Sequence, residues 1–87
     1  MRDGSDTSSQ LDLRSFRLQL TPRRTLGQVA RGAQVHRSVL SRVETGRREI
    51  TVGCARRLAQ FYSRVTGRRV TLGEILEMAE RARRDFK

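Results

Sequence analysis

The stretch that decides the fold runs from residue 25 to residue 46 and reads TLGQVARGAQVHRSVLSRVETG. Apolar residues recur in both of its halves at the three- and four-residue spacing of a helix face. They are Leu26, Val29, Ala30, Val39, Leu40 and Val43. Gly46 follows the last of them, and glycine readily adopts the left-handed conformation that closes a helix. The stretch therefore predicts two short helices, at about residues 25–32 and 36–45, joined by a tight turn.

The segment before this stretch, residues 11–20, predicts a further helix. Leu13, Phe16 and Leu20 lie at the spacing of a single helical face. Alternating apolar residues in the second half of the segment would also suit a strand, but the helical elements that follow favour a helix. Pro22 ends the segment, because the residue before a proline is disfavoured in the α conformation. A short basic linker then leads into the deciding stretch.

Downstream, apolar periodicity predicts two longer helices, at about residues 52–65 and 71–85. Thr25 and Thr71 each stand at a predicted helix start, with Gln or Glu three residues later. This spacing is typical of a capping box, in which the Thr and the Gln or Glu side chain each bond to the other residue's backbone N–H.

The chain is expected to form one small domain. Residues 1–10 are polar and lack apolar periodicity, so we expect a mobile tail or an arm that becomes ordered on a partner. Residues 11–87 are expected to form an all-α fold, a compact five-helix bundle. A chain of 87 residues buries only a modest core, so a large catalytic cleft is not expected.

The charge of the chain is large and unevenly distributed. The net charge is +10, and eighteen of the nineteen basic residues are Arg. Between Arg14 and Arg69 there are fourteen Arg but only two acids, Glu44 and Glu49. Arg presents a planar fork of donors that suits phosphates and guanine edges, which favours a nucleic-acid partner. A solvated surface, or contact with a membrane or an acidic protein, would also account for this charge.

The sequence argues against catalysis and against metal binding. The chain has one Cys, Cys54, and one His, His36, which excludes a disulfide framework, a Cys-rich zinc site and a two-His metal motif. No apolar run approaches the roughly 18 residues of a membrane span, and the polar N-terminus does not resemble a secretory signal. We therefore expect a cytoplasmic non-enzyme without cofactor or metal, with Cys54 as a small buried residue.

The deciding stretch resembles the helix-turn-helix of phage repressor and Cro-type (XRE-like) regulators. The family pattern is an apolar–Ala pair, a turn that usually contains Gly followed by Val, an apolar residue five positions on, and a final apolar–Glu–x–Gly. The matching residues here are Val29-Ala30, Gln34-Val35, Leu40 and Val43-Glu44-Thr45-Gly46. The resemblance covers about residues 11–78 and implies a lambda-repressor-like DNA-binding domain.

The resemblance implies that the helix at residues 36–45 is a recognition helix lying in the major groove of double-stranded DNA. The residues then expected to contact bases are Arg37, Ser38, Ser41 and Arg42. The residues expected to contact phosphates, from helix starts and nearby loops, are Arg23, Arg24, Thr25, His36, Arg47, Arg48 and Thr51. In the family the acid at the position of Glu44 pairs with an Arg of the first helix, for which Arg17 is the preferred partner and Arg14 the second.

Three positions depart from the family pattern. Gln34 stands where the turn usually has Gly, so a left-handed backbone there would be strained, and Gly32 offers another place for the turn. His36 stands where Ser or Thr usually caps the recognition helix. Leu26 replaces a Gln that often contacts a phosphate.

Together these features predict a sequence-specific transcriptional regulator, most simply a repressor, that binds as a homodimer to two half-sites. The last predicted helix is the expected dimer interface, through Met78, Ala82 and Phe86, although closure of the protein's own core would also account for these residues. Two other functions remain open. One is an antitoxin-like regulator that also binds a partner protein, and the other is a non-specific chromosome- or RNA-associated protein that uses only its arginines.

Overall fold

Residues 11–85 are described by the computed structural model, and they form five α-helices and no β-strand. The helices are α1 (Leu13–Leu18), α2 (Leu26–Ala33), α3 (Arg37–Glu44), α4 (Val52–Thr66) and α5 (Leu72–Asp85). The predicted all-α fold class is therefore confirmed, and the strand alternative for the first segment is wrong. The expected tail at residues 1–10 lies outside the described residues, as does Phe86.

Side chains cap the starts of α2 and α5 as the sequence predicts, whereas His36 makes no side-chain cap hydrogen bond at the start of α3. Thr25 Oγ1 accepts a hydrogen bond from the Gln28 N–H at 3.1 Å, and Gln28 Oε1 accepts one from the Thr25 N–H at 2.8 Å. Thr71 and Glu74 form the same reciprocal pair at the start of α5, at 3.1 and 2.9 Å. At the start of α4, Thr51 caps the helix in one direction only. Each such cap stabilises its helix by about 1 kcal/mol.

The connection between α2 and α3 turns at Gln34, whose φ of 61° and ψ of 45° are left-handed. The Val35 N–H donates to the Ala30 carbonyl at 2.9 Å, which closes the turn. The alternative that Gly32 takes over the turn is wrong. Gly32 lies inside α2, where a Cβ atom would overlap the ring of Phe61 on α4. The glycine therefore permits close packing of α2 on α4, and a non-glycine residue carries the turn.

One hydrophobic core joins the helices. α5 packs against α1, α3 and α4, while α2 packs against α3 and α4. The largest fully buried side chains are Leu13, Val29, Leu40, Val43, Leu58, Tyr62 and Ile75. The rings of Phe16 and Tyr62 meet edge to face with their centroids 5.0 Å apart, which fixes α1 against α4.

Met78 and Ala82 lie in this core, not on the surface. Each is only 4 % exposed. Their spacing from Ile75 and Ala79, which are also buried, puts them on the inner stripe of α5. The predicted dimer interface is therefore wrong at both of its described members, because their side chains close the core of their own chain. An interface with a second copy has to use other residues.

Candidate nucleic-acid interface

α3 presents a polar and positively charged face to solvent. Arg37, Ser38 and Arg42 are exposed, and Ser41 lies half-buried between them. Their positions along α3 place all four on one side of the helix, while its apolar residues face the core. The residues predicted to contact bases therefore share one face, on which Ser41 is the least accessible.

The only acid of α3, Glu44, is buried at the end of the helix. Its two carboxylate oxygens accept hydrogen bonds from Arg17 Nε at 2.9 Å and from Arg17 Nη2 at 3.0 Å. Of the two partners that the sequence left open, Arg17 forms the pair, and Arg14 is exposed on α1. The hydrogen bond with Glu44 raises the pKa of Arg17, against a smaller opposing effect of burial. Arg17 therefore stays charged, and the outer face of α3 carries cations and hydroxyls without a carboxylate.

The first turns of α3 and α4 lie next to each other. His36, the N-cap of α3, and Thr51, the N-cap of α4, line one open depression together with Gln34 and Arg57. Arg57 Nη1 donates to the Gln34 carbonyl at 2.9 Å, which holds the α2–α3 turn against α4. A helix N-terminus carries a partial positive charge and free N–H groups. Two such ends and a guanidinium are thus gathered at one place on the surface.

Arg48 does not line the depression, but its charge acts on Cys54, which does. Cys54, which lines the depression, is buried as the sequence predicts. Burial raises the pKa of the Cys54 thiol, and the charges of Arg48 and Arg57 oppose that rise. Both guanidinium groups therefore act on the start of α4. Arg47, the other basic residue after α3, is exposed as well.

The residues at the start of α2 do not line this depression. Thr25 already uses its hydroxyl and its backbone N–H in the capping box with Gln28. Arg23 is exposed, whereas Arg24 is half-buried and its carbonyl accepts a hydrogen bond from Arg17 Nη1 at 3.1 Å. Of the predicted phosphate contacts, His36 and Thr51 line the depression, whereas Arg23, Arg24 and Thr25 do not.

Arg57 is not among the site residues that the sequence predicts. Helical spacing places Arg57 on the exposed face of α4 with Gln60 and Arg64, and nothing along α4 distinguishes it from these neighbours. Its position beside the α2–α3 turn follows from the packing of α2 on α4, which periodicity within one helix does not reveal.

Comparison with known proteins found no matching family model, no curated protein of significant sequence similarity and no solved structure of significant structural similarity. The resemblance to Cro-type regulators consequently rests on the motif residues of the chain itself. Within residues 11–85, no three His, Cys, Asp or Glu residues are grouped in a way that could hold a metal ion. None of the helices described combines the length and the apolar character that a membrane crossing requires.

Proposed function

We propose that this chain is a sequence-specific, double-stranded DNA-binding transcriptional regulator of the cytoplasm, most simply a repressor. In this proposal α2 and α3 form a helix-turn-helix of the lambda-repressor type, and α3 reads the major groove. The observation that carries the proposal is the outer face of α3, on which Arg37 and Arg42 are exposed while Glu44 is buried against Arg17. An exposed carboxylate at this position would repel the phosphates beside the groove.

Each part of the surface has a role in the proposed complex. Arg37 and Arg42 donate to base edges, where one bidentate Arg–guanine contact gives about 1–3 kcal/mol of discrimination. Ser38 and Ser41 contribute single hydrogen bonds from the same face. The depression at the starts of α3 and α4 receives a phosphate, because helix N-termini and nearby guanidinium groups bind anions. Arg57 belongs to this group in addition to the residues that the sequence suggested.

The proposed regulator binds as a homodimer. A helix of the length of α3 reads only a few base pairs, so two copies on neighbouring half-sites provide a longer operator. Twofold symmetry of the protein then requires an inverted repeat in the DNA, with half-site centres about 10 base pairs apart.

The experiment that tests the proposal is selection of bound sequences from a random duplex library, at near-physiological salt. Salt is held there because phosphate affinity falls steeply as salt rises, and low salt favours non-specific binding. The expected result is an enriched inverted repeat. Binding without enrichment would contradict the proposal and favour the non-specific alternative, whereas binding that requires a co-purified second protein would favour the antitoxin-like alternative.

Two variants then test the role of α3 on the selected operator and its single-base substitutions. Arg37→Ala is expected to weaken the best site by about 1–3 kcal/mol and to remove the preference at one base pair. Arg83→Ala removes the same charge from the exposed side of α5 and serves as the matched control. It is expected to keep the full preference profile. Equal loss on every sequence in Arg37→Ala would contradict base reading by this residue.

A further inference from the structure

A second groove lies between α4 and the start of α5, and it shares no lining residue with the depression at the starts of α3 and α4. Its apolar lining residues are Ala59, Val70 and Leu72, and its basic lining residues are Arg56, Arg64 and Arg69. No acid lines it. Arg56 and Arg69 are exposed, and neither forms a hydrogen bond or ion pair with any residue from 11 to 85.

An exposed apolar side chain extends this groove towards the start of α4. Val52 is 54 % exposed and is the only large hydrophobic residue that is exposed in the described part of the chain. It lies one helical turn before Arg56, in the row that continues through Gln60 and Arg64. The groove and Val52 thus form one surface with an apolar strip and a charged rim, which is the composition of a protein–protein interface. We call this surface the α4 groove.

Among the exposed carboxylates of α5, Glu80 lies on the row that begins in the α4 groove, and Glu77 lies next to Glu80 at three-residue spacing. Leu72, Leu76 and Glu80 follow one another at four-residue spacing, so the row that begins in the groove leads to Glu80. Glu77 and Glu80 are exposed and pair only along their own helix, with Arg81 at 3.4 Å and with Arg84 at 3.9 Å. Exposed pairs of this kind contribute about 0.3–0.5 kcal/mol and leave the carboxylates able to take other partners.

We propose that the α4 groove docks a second copy of this chain across a twofold axis. The α5 carboxylates of each copy meet Arg56 and Arg69 of the other, and the apolar strips around Val52 and Leu72 pack together. A twofold contact uses the same patch on both copies, so the patch has to be complementary to itself. This one is, because it combines an apolar strip, a basic rim and a row of carboxylates.

The net charge of +10 limits where on their surfaces two copies of the chain can associate. Two copies repel each other over most of their surfaces, so they can approach only where opposite charges meet. The α4 groove also leaves the outer face of α3 free. The inference rests on the homodimer in the proposed function, but it does not require DNA binding, so the two proposals can fail separately.

The experiment is sedimentation equilibrium of the full chain without DNA, over a wide range of protein concentrations. One variant reverses the rim, Arg56→Glu with Arg69→Glu, and a second reverses the α5 row, Glu77→Arg with Glu80→Arg. The wild type is expected to form dimers, and each variant is expected to associate at least about tenfold more weakly. An equimolar mixture of the two variants is expected to recover the dimer, because opposite charges then meet at both symmetric contacts.

The matched control reverses two exposed arginines outside the α4 groove, Arg14→Glu with Arg31→Glu. This control changes net charge as the rim variant does, and it should associate at least as well as the wild type. Circular dichroism verifies that each variant is folded, and Val52→Asp offers an independent way to weaken the contact. A wild type that is monomeric at all concentrations would overturn the proposal and would indicate that the groove binds a different, acidic partner. Dimers that both reversals leave intact, or a mixture that stays monomeric, would overturn it equally.

Discussion

Arg17 and Glu44 form a bidentate ion pair inside the protein, where their side chains are only 10 % and 3 % exposed. The pair joins α1 to the end of α3 across 27 residues of sequence. The third guanidinium nitrogen of Arg17 donates to the Arg24 carbonyl just before α2. One side chain therefore connects three parts of the chain, and the orientation of α3 depends on it.

Replacement of Glu44 by Ala is expected to lower the free energy of unfolding by about 3–5 kcal/mol, because the Arg17 charge would stay buried without its partner. Urea denaturation of the purified variant measures this loss. At protein concentrations where the chain is monomeric, Glu77→Ala is the matched control, since it breaks an Arg–Glu pair whose carboxylate is 58 % exposed. Such surface pairs are worth about 0.2–1 kcal/mol. A loss at Glu44 as small as that at Glu77 would contradict a structural role for the buried pair.

The left-handed turn at Gln34 makes a second stability prediction. A residue with a Cβ atom is strained by about 1–2 kcal/mol in this conformation, and replacement by glycine removes that strain. Glycine also loses about 0.5–1 kcal/mol more conformational entropy on folding, which offsets part of this gain. Gln34→Gly is therefore expected to raise the free energy of unfolding by about 0.5–1 kcal/mol. The hydrogen bond from Arg57 goes to the backbone carbonyl and is retained.

Gly67 allows the reverse substitution, from glycine to a residue with a Cβ atom, at another left-handed position. It ends α4 with a φ of 73°, and no atom lies within 4 Å of a Cβ built there. Gly67→Ala therefore changes backbone strain without a clash, and it should destabilise the chain by about 1 kcal/mol. Thermal and urea unfolding of both variants should show changes of opposite sign. If Gln34→Gly is instead less stable than the wild type, the Gln34 side chain contributes more to stability than the strained backbone costs.

Close packing of α2 on α4 is tested at Gly32. A Cβ atom there would overlap the Phe61 ring, so Gly32→Ala is expected to cost about 1–3 kcal/mol of stability, as overpacked cores do. Gly27→Ala lies on the same helix with no atom within 4 Å of its Cβ, so that variant should be neutral or slightly stabilising. Because Leu lacks a ring, Phe61→Leu should make room for the added methyl group. If Gly32→Ala proves neutral, α2 and α4 can separate enough to accept a Cβ atom between them.

Local chemistry explains why much of the fold could be predicted from the sequence. The capping boxes of Thr25 and Thr71 involve residues three positions apart, so their signals are complete within four residues. The inner and outer faces of α3 likewise follow from helical spacing alone. The Arg17–Glu44 pair was predicted only because the motif resembles a known family, since nothing local connects residues so distant in sequence.

The features that the sequence could not predict are those that depend on packing between helices. Met78 and Ala82 looked free for an interface because the number of apolar residues on α5 does not say how many other helices cover it. The structure surrounds that stripe with α1, α3 and α4, which buries both side chains. Arg57 and the α4 groove were missed for the same reason, as both arise where two helices meet.

Tyr62, the only tyrosine of the chain, gives a prediction for alkaline pH. Its hydroxyl is buried and makes no hydrogen bond within residues 11–85, and burial raises its pKa. The folded state thus holds the phenol proton more tightly than the unfolded state, whose pKa is about 10. The stability that this provides is present below pH about 10 and is lost as the pH rises above it.

Tyr62→Phe removes both the unpaired hydroxyl and the titration. At neutral pH its free energy of unfolding should equal that of the wild type or exceed it by up to about 1 kcal/mol, because no hydrogen bond is lost. Above pH about 10 the variant should lose less stability than the wild type. Urea denaturation at neutral and alkaline pH measures both effects. A neutral-pH loss of about 2 kcal/mol or more would show that the hydroxyl has a hydrogen-bond partner.

Arg48 distinguishes phosphate contact from base reading in the proposed DNA complex. Its charge acts on Cys54 in the first turn of α4, and Arg48 follows α3, which ends at Glu44. Arg48→Ala is therefore expected to weaken binding to the operator and to unrelated duplexes by a similar factor, and to reduce the slope of log K against log salt by about 1.

Titrations of labelled duplexes at several salt concentrations measure this slope for Arg48→Ala, Arg37→Ala and Arg83→Ala. Arg37→Ala should change the ratio between operator and unrelated duplex, because a base contact is lost only on the operator. Arg48→Ala should leave that ratio unchanged, and Arg83→Ala should preserve both the ratio and the slope, since the charge that it removes lies on α5. A changed ratio for Arg48→Ala would assign this residue to base reading and move the centre of recognition from α3 towards the start of α4.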